Sequence, residues 1–145
     1  MHPLAKFALL GLALGAGFLA PSILEKVQSH TKHSASSIDL NQYCQLSTAT
    51  CVQNEAKLTL EHDKAQPLLP SKLMVEWPDQ AESLMLTLQG LEMEMGSVKI
   101  LLTPAEQGHY VGEVLLPVCT MDKMTWVGEL TDGNLTVNTS LRMER

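Results

Sequence analysis

The sequence predicts an all-β domain: an immunoglobulin-like antiparallel β-sandwich of about seven strands, preceded by one N-terminal hydrophobic helix. Two observations carry this. From Tyr43 onward, apolar residues alternate with polar ones at a two-residue period, the mark of strands with one buried face. Turn residues break that alternation at short intervals, at Pro67–Pro70, Pro78–Asp79, Gly90, Pro104–Gly108 and Asp132–Gly133, and no long 3.6-residue pattern lies between them. A small open barrel is the nearest alternative.

The elements follow in order. Residues 1–24 begin with one cation, Lys6, and continue through an uncharged run from Phe7 to Ser22, in which Pro21 stops the helical pattern. A cation followed by a short apolar stretch reads as a signal peptide. Left uncleaved, it reads as an N-terminal membrane anchor, with Lys6 reaching the cytoplasmic interface. Residues 25–37, EKVQSHTKHSASS, are polar and serine-rich and read as a flexible linker. His30 and His33 have no third ligand nearby, so they read as solvated. Residues 38–145 are the exported β domain.

Its strand faces are legible one by one. Leu58 and Leu60 share a face in the first run, Leu73, Val75 and Trp77 in the second, and Leu84, Leu86 and Leu88 in the third. Val98, Ile100 and Leu102 follow, then Tyr110, Val114, Leu116 and Val118. Trp126 and Leu130 precede the turn at Asp132-Gly133-Asn134, and Leu135, Val137, Leu141 and Met143 form the last run.

Composition excludes several classes. The chain has 145 residues, with 10 Lys+Arg against 16 Asp+Glu and a formal net charge of -6, so it does not present the cationic surface that nucleic acid requires. Its 45% hydrophobic content is enough for a core and argues against disorder throughout. Three cysteines are too few for a disulfide-rich miniprotein.

Cys44 and Cys51 lie in YCQLSTATC, and export to an oxidising compartment makes a disulfide between them the expected state. There is no CxxC redox motif. Cys119 is left over, with three readings open: a buried thiol, a metal ligand, or an intermolecular disulfide.

The methionines are uneven. Met93 and Met95 alternate with Glu92 and Glu94 in GLEMEMG, which in a strand puts both thioethers on one face and both carboxylates on the other. Met121 and Met124 follow closely after Cys119. Sulfur donors at such spacings suit Cu(I), so Met93, Met95, Cys119, Met121 and Met124 form a candidate metal site if the two segments meet, with His109 as a further donor. The competing reading is core packing, since methionine fills irregular apolar gaps. The two glutamates then read as a solvated face.

No other chemistry is signalled. There is no nucleophile elbow, phosphate loop or HExxH motif, and Asp79 and Glu82 read as exposed turn residues, so the chain is not expected to be an enzyme. Asn134-Leu135-Thr136 and Asn138-Thr139-Ser140 match the short glycosylation pattern, which is frequent by chance.

The segment MEMG, then GHYVGEVLLPVC, then MTW resembles the FixH and YtkA-like group of small membrane-anchored bacterial proteins, in which an MxMG-like segment precedes a GxYxGxxxLPxC-like strand and a Trp-containing strand. The matching residues are Met93, Met95, Gly96, Gly108, Tyr110, Gly112, Leu116, Pro117, Cys119 and Trp126. The Cys44–Cys51 pair lies outside that layout. The resemblance implies a periplasmic immunoglobulin-like domain on one anchor in a bacterial inner membrane. It also implies a link to copper supply or respiratory oxidase assembly. The expected function is therefore a membrane-tethered periplasmic accessory protein binding Cu(I). The alternative is a metal-free interaction module of a membrane complex.

Overall fold

A computed structural model describes residues 38–106 and 108–145. The expected helix in 1–24 and the linker in 25–37 lie outside the described residues. Asp39–Arg145 forms one compact unit. It is all-β, with a single 3₁₀ turn, Leu40–Gln42, before the first strand.

Each of the seven expected runs is a strand. These are β3 (Ala56–Leu60), β4 (Ser71–Glu76), β5 (Leu84–Gly90), β6 (Ser97–Glu106), β7 (His109–Val114), β8 (Lys123–Thr131) and β9 (Thr136–Glu144). Two more, β1 (Cys44–Leu46) and β2 (Cys51–Gln53), come from the cysteine segment, so the strands number nine rather than about seven. The sheet is also mixed rather than purely antiparallel, because β1 pairs with β9 in parallel, Gln45 opposite Ser140. The strand order is β1-β9-β8-β5-β6-β7-β4-β3-β2.

Strand β6 links two hydrogen-bonded ladders. Its first part, Ser97 to Leu102, pairs with β5, and its last part, Thr103 to Glu106, pairs with β7 across a register shift. The alternation read from the sequence is the burial alternation in space. In β4, Leu73 and Val75 point inward and Met74 and Glu76 outward. The buried faces of both ladders meet in one core that includes Leu46, Leu58, Leu86, Leu102, Tyr110 and Trp126. Among the described residues, the members of that core lie between Cys44 and Met143.

The two outermost strands, β1 and β2, are joined by the Cys44–Cys51 disulfide, as expected. Sheet edges are otherwise templates for unwanted pairing, and closure removes them. Side chains of the β2–β3 hairpin complete the seam. Gln53 Oε1 accepts from Asn138 N at 3.0 Å, and Asn54 Nδ2 donates to the Thr136 carbonyl at 3.1 Å. These two contacts occupy the part of β9 that the short β1 does not reach.

Close backbone approach explains one glycine. A Cβ on Gly128 would stand 1.8 Å from the Thr87 carbonyl oxygen of neighbouring β5, so only glycine fits. Tyr110 pins the β4–β5 connection to β7. Its hydroxyl accepts from Ala81 N at 2.7 Å and donates to the Ala81 carbonyl at 2.8 Å.

Strand directions define two ends of the domain. Loops 61–70, 91–96 and 115–122 and the C-terminus lie at one end, where β3, β5, β7 and β9 finish. The connections 77–83 and 132–135 lie at the other.

Candidate functional site

The sulfur-bearing end is built on Gly90. A Cβ there would collide with the Met124 methyl at 1.9 Å and the Met93 carbonyl at 2.4 Å, so glycine lets loop 91–96 fold back over the end of β5. The loop is then tied to β8. Leu91 N donates to the Thr125 carbonyl at 2.9 Å, and Thr125 N donates to Glu92 Oε2 at 2.7 Å. Arg142 Nη1 donates to Thr125 Oγ1 at 2.8 Å and lies 3.5 Å from Glu92 Oε1. Burial pushes the Glu92 carboxyl up, but the Thr125 N–H and the Arg142 guanidinium outweigh it and hold the group below its ordinary value. Glu92 is thus a fastening for the loop, more than the solvated face expected of it. Gly96, at a φ of 74°, turns the chain into β6.

Residues 91–93 form bends and 94–96 are irregular, so the segment is not a strand. The alternation survives nonetheless. Met93 and Met95 are half-buried against the core, while Glu92, Glu94 and Gly96 are exposed. Met121, in the β7–β8 loop at the same end, is also half-buried against the core. Met124 is fully buried, opposite the equally buried Met143 of β9. Cys119 is a buried free thiol whose Sγ donates to the Met121 carbonyl at 3.2 Å. Arg145 seals this loop from the C-terminus, with Nη2 donating to the Cys119 carbonyl and its backbone N to the Asp122 carbonyl.

The two sequence segments singled out for sulfur therefore share one end of the domain. Met93, Met95 and Met121 are half-buried there, and Cys119 and Met124 are buried in the core at the same end. His109 begins β7 at the opposite end, beside Glu76 on an open groove of about 340 Å³, and does not join them. His62 lies at the sulfur end, with Nδ1 3.2 Å from Ser71 Oγ. Among the described residues no group of three or more His, Cys, Asp or Glu side chains is arranged to hold a metal. Asp79 and Glu82 are exposed in the β4–β5 connection, as expected.

Sequence reasoning missed a cluster beside the sulfurs. Pro67 bridges to Leu116, and Leu68 N donates to the Leu116 carbonyl at 3.0 Å. Leu68, Leu69, Leu115 and Val118 are left exposed at 64%, 48%, 49% and 49%. Val118 had been placed on the core-facing side of a run, but β7 stops at Val114 and the chain leaves the ladder there. The available signal was a pair of leucines between two prolines, where turn chemistry ordinarily puts polar residues.

No protein-family model matches the chain, and no curated protein or solved structure matches it either.

Proposed function

We propose that the chain is an exported accessory protein, tethered to a bacterial inner membrane through residues 1–24. Its periplasmic domain is read as an immunoglobulin-like sandwich that handles Cu(I) through the thioethers of Met93, Met95 and Met121. The observation that carries the reading is that these three half-buried methionines lie on two loops at one end of the domain. Thioether sulfur is a soft, neutral donor, which selects Cu(I) over harder cations. Neutral donors also hold the ion lightly enough to pass it to an acceptor, as metal trafficking or oxidase assembly requires. Cys119 binds metal only as thiolate, and its thiol is a hydrogen-bond donor here, so this reading leaves it and Met124 as support behind the ligands. The immunoglobulin-like description draws on the two ladders sharing β6 over a common core. No catalytic residue enters the reading.

An anaerobic Cu(I) titration of residues 38–145 against a competing chelator tests it. One bound equivalent supports it. No binding at micromolar copper overturns it. A metal-free interaction module is the second reading, favoured by the packing of the same thioethers against the core and by the exposed leucines beside them.

A further inference from the structure

A separate set of metal donors lies at the other end of the domain, on the outer face of β3, β4 and β7. His109, the first residue of β7, stands directly opposite Glu76, the last residue of β4. Met74 is two residues before Glu76, on the same face of β4 and diagonal to His109 across the strand pair. All three are exposed, Met74 at 43%. They line the open groove of about 340 Å³ together with Lys57 and the hydrogen-bonded hydroxyls of Thr50 and Thr59. Residues directly opposite in an antiparallel pair stand about 5 Å apart at Cβ, and diagonal ones about 7–8 Å, spans that one ion can bridge through side chains of this length. Donors carried on paired strands are also held more closely than donors on loops.

Charge at this end has the sign that a cation needs. Glu55, Glu76, Asp79, Glu82, Glu106 and Asp132 lie here, with Lys57 as the cation among them. Glu76 Oε2 accepts from Lys57 Nζ at 2.7 Å, and among the described residues Oε1 accepts no hydrogen bond. The Lys57 hydrogen bond and charge hold the Glu76 carboxyl below its ordinary value against a burial effect that raises it, and the nearby His109 pulls in the same direction as Lys57. An anionic carboxylate therefore faces the imidazole.

The donor types select the ion. Among the described residues no third His, Cys, Asp or Glu joins His109 and Glu76 in a metal-holding group. The third donor on the groove is the Met74 thioether. Imidazole with a weakly held thioether is a copper pattern, whereas harder divalent cations gain little from such sulfur. Nitrogen and carboxylate oxygen as the principal donors favour Cu(II), in contrast to an all-thioether set, which suits Cu(I). From these observations we propose that His109, Glu76 and Met74 form a Cu(II) site on the outer face of the sheet, with the imidazole and carboxylate as principal ligands, the thioether as a weak third and water completing the shell. This site lies at the end opposite Met93, Met95 and Met121 and stands independently of the Cu(I) reading above.

The test is electron paramagnetic resonance of the full chain with one equivalent of Cu(II) in a non-coordinating buffer. A protein-bound spectrum with hyperfine coupling to one imidazole is expected, lost in His109→Gln and kept in His62→Gln. In a competition titration Glu76→Gln and Met74→Leu are each expected to bind about tenfold more weakly, a loss that even an outer-shell partner of a metal site incurs. The three side chains are exposed, and unaltered urea midpoints are expected of the variants. A spectrum of free aqueous copper with the unmodified chain overturns the proposal. A bound spectrum that survives His109→Gln also overturns it, and its loss when His30 and His33 are alanine would assign the ion to residues 25–37. Equal affinity in Glu76→Gln and Met74→Leu overturns the three-donor site. Cu(I) is silent in this experiment and none of these variants touches Met93, Met95 or Met121, so the two copper readings fail or succeed separately.

Discussion

Replacing both Cys44 and Cys51 with alanine removes the bond between the first and last strands of the sheet. The bridge spans a sequence separation of 7, and the chain-entropy relation for so short a loop gives about 2.5 kcal/mol of stabilisation. For a domain near 100 residues that corresponds to a fall of about 10–20 °C in Tm, or roughly 1–2 M in the urea midpoint. Because Cys44 is buried, a smaller cavity cost adds to this figure. The assay is equilibrium urea unfolding of residues 38–145, followed by the fluorescence of the fully buried Trp126. Position in the fold makes a second demand. With the clasp gone, β1 and β2 should separate before the rest of the sheet, so amides of Thr139–Leu141 and Lys57–Leu58 should exchange faster than those of β5. A stability loss below about 1 kcal/mol, with exchange unchanged along β9, would refute the reasoning that the bridge closes the ring.

Three further outcomes follow from local geometry. Gly128→Ala drives a methyl into the Thr87 backbone and should cost more than about 4 kcal/mol, read as loss of soluble folded protein; a normal urea midpoint would contradict the close approach. Leu68→Gly should stabilise by roughly 0.5–1 kcal/mol, because relief of about 1–2 kcal/mol of left-handed strain exceeds glycine's added chain entropy; a lower urea midpoint would contradict this. The Asp132 carboxyl is held below its ordinary value chiefly by the Leu135 N–H, against a burial effect that raises it, with the Asn134 N–H and Trp77 indole helping. The unfolded chain therefore takes up that proton at higher pH. Its stabilisation is fully present above the unfolded carboxylate value near pH ~4 and is lost as pH falls through the folded one. Asp132→Asn should flatten the acid limb of stability against pH, and an unaltered limb would count against the assignment.

The period-two pattern sufficed for β3, β4, β5 and β7 because each buries one face over five residues or more, and it was still legible in β6, β8 and β9 although β8 buries Met124–Val127 and β9 buries Thr139–Leu141 on both faces. It failed for β1 and β2. Three residues give too few alternations to register, and the parallel pairing of β1 with β9 depends on a contact about 95 residues away that no local pattern encodes. The methionine pair was legible as a burial pattern but not as a loop. Gly90 and Gly96 mark its limits, yet the reason for Gly90, the Met124 methyl and Met93 carbonyl standing where a Cβ would be, exists only in the fold. That Met93, Met95 and Met121 share an end with Cys119 was a conditional expectation, and the shared end follows from the strand order. Leu68 and Leu69 passed unnoticed because flanking prolines signalled a turn and gave no hint of which side chains it displays.

Copper binding by the thioethers at the sulfur-bearing end, as proposed, is read by X-ray absorption at the copper edge on residues 38–145 loaded anaerobically with one equivalent. The expected result is a shell of sulfur neighbours that is unchanged in Cys119→Ser and lost when Met93, Met95 and Met121 are all leucine, a change that nearly conserves volume and leaves the core intact. A copper shell of nitrogen and oxygen, or a sulfur shell that survives the triple leucine variant, would contradict it.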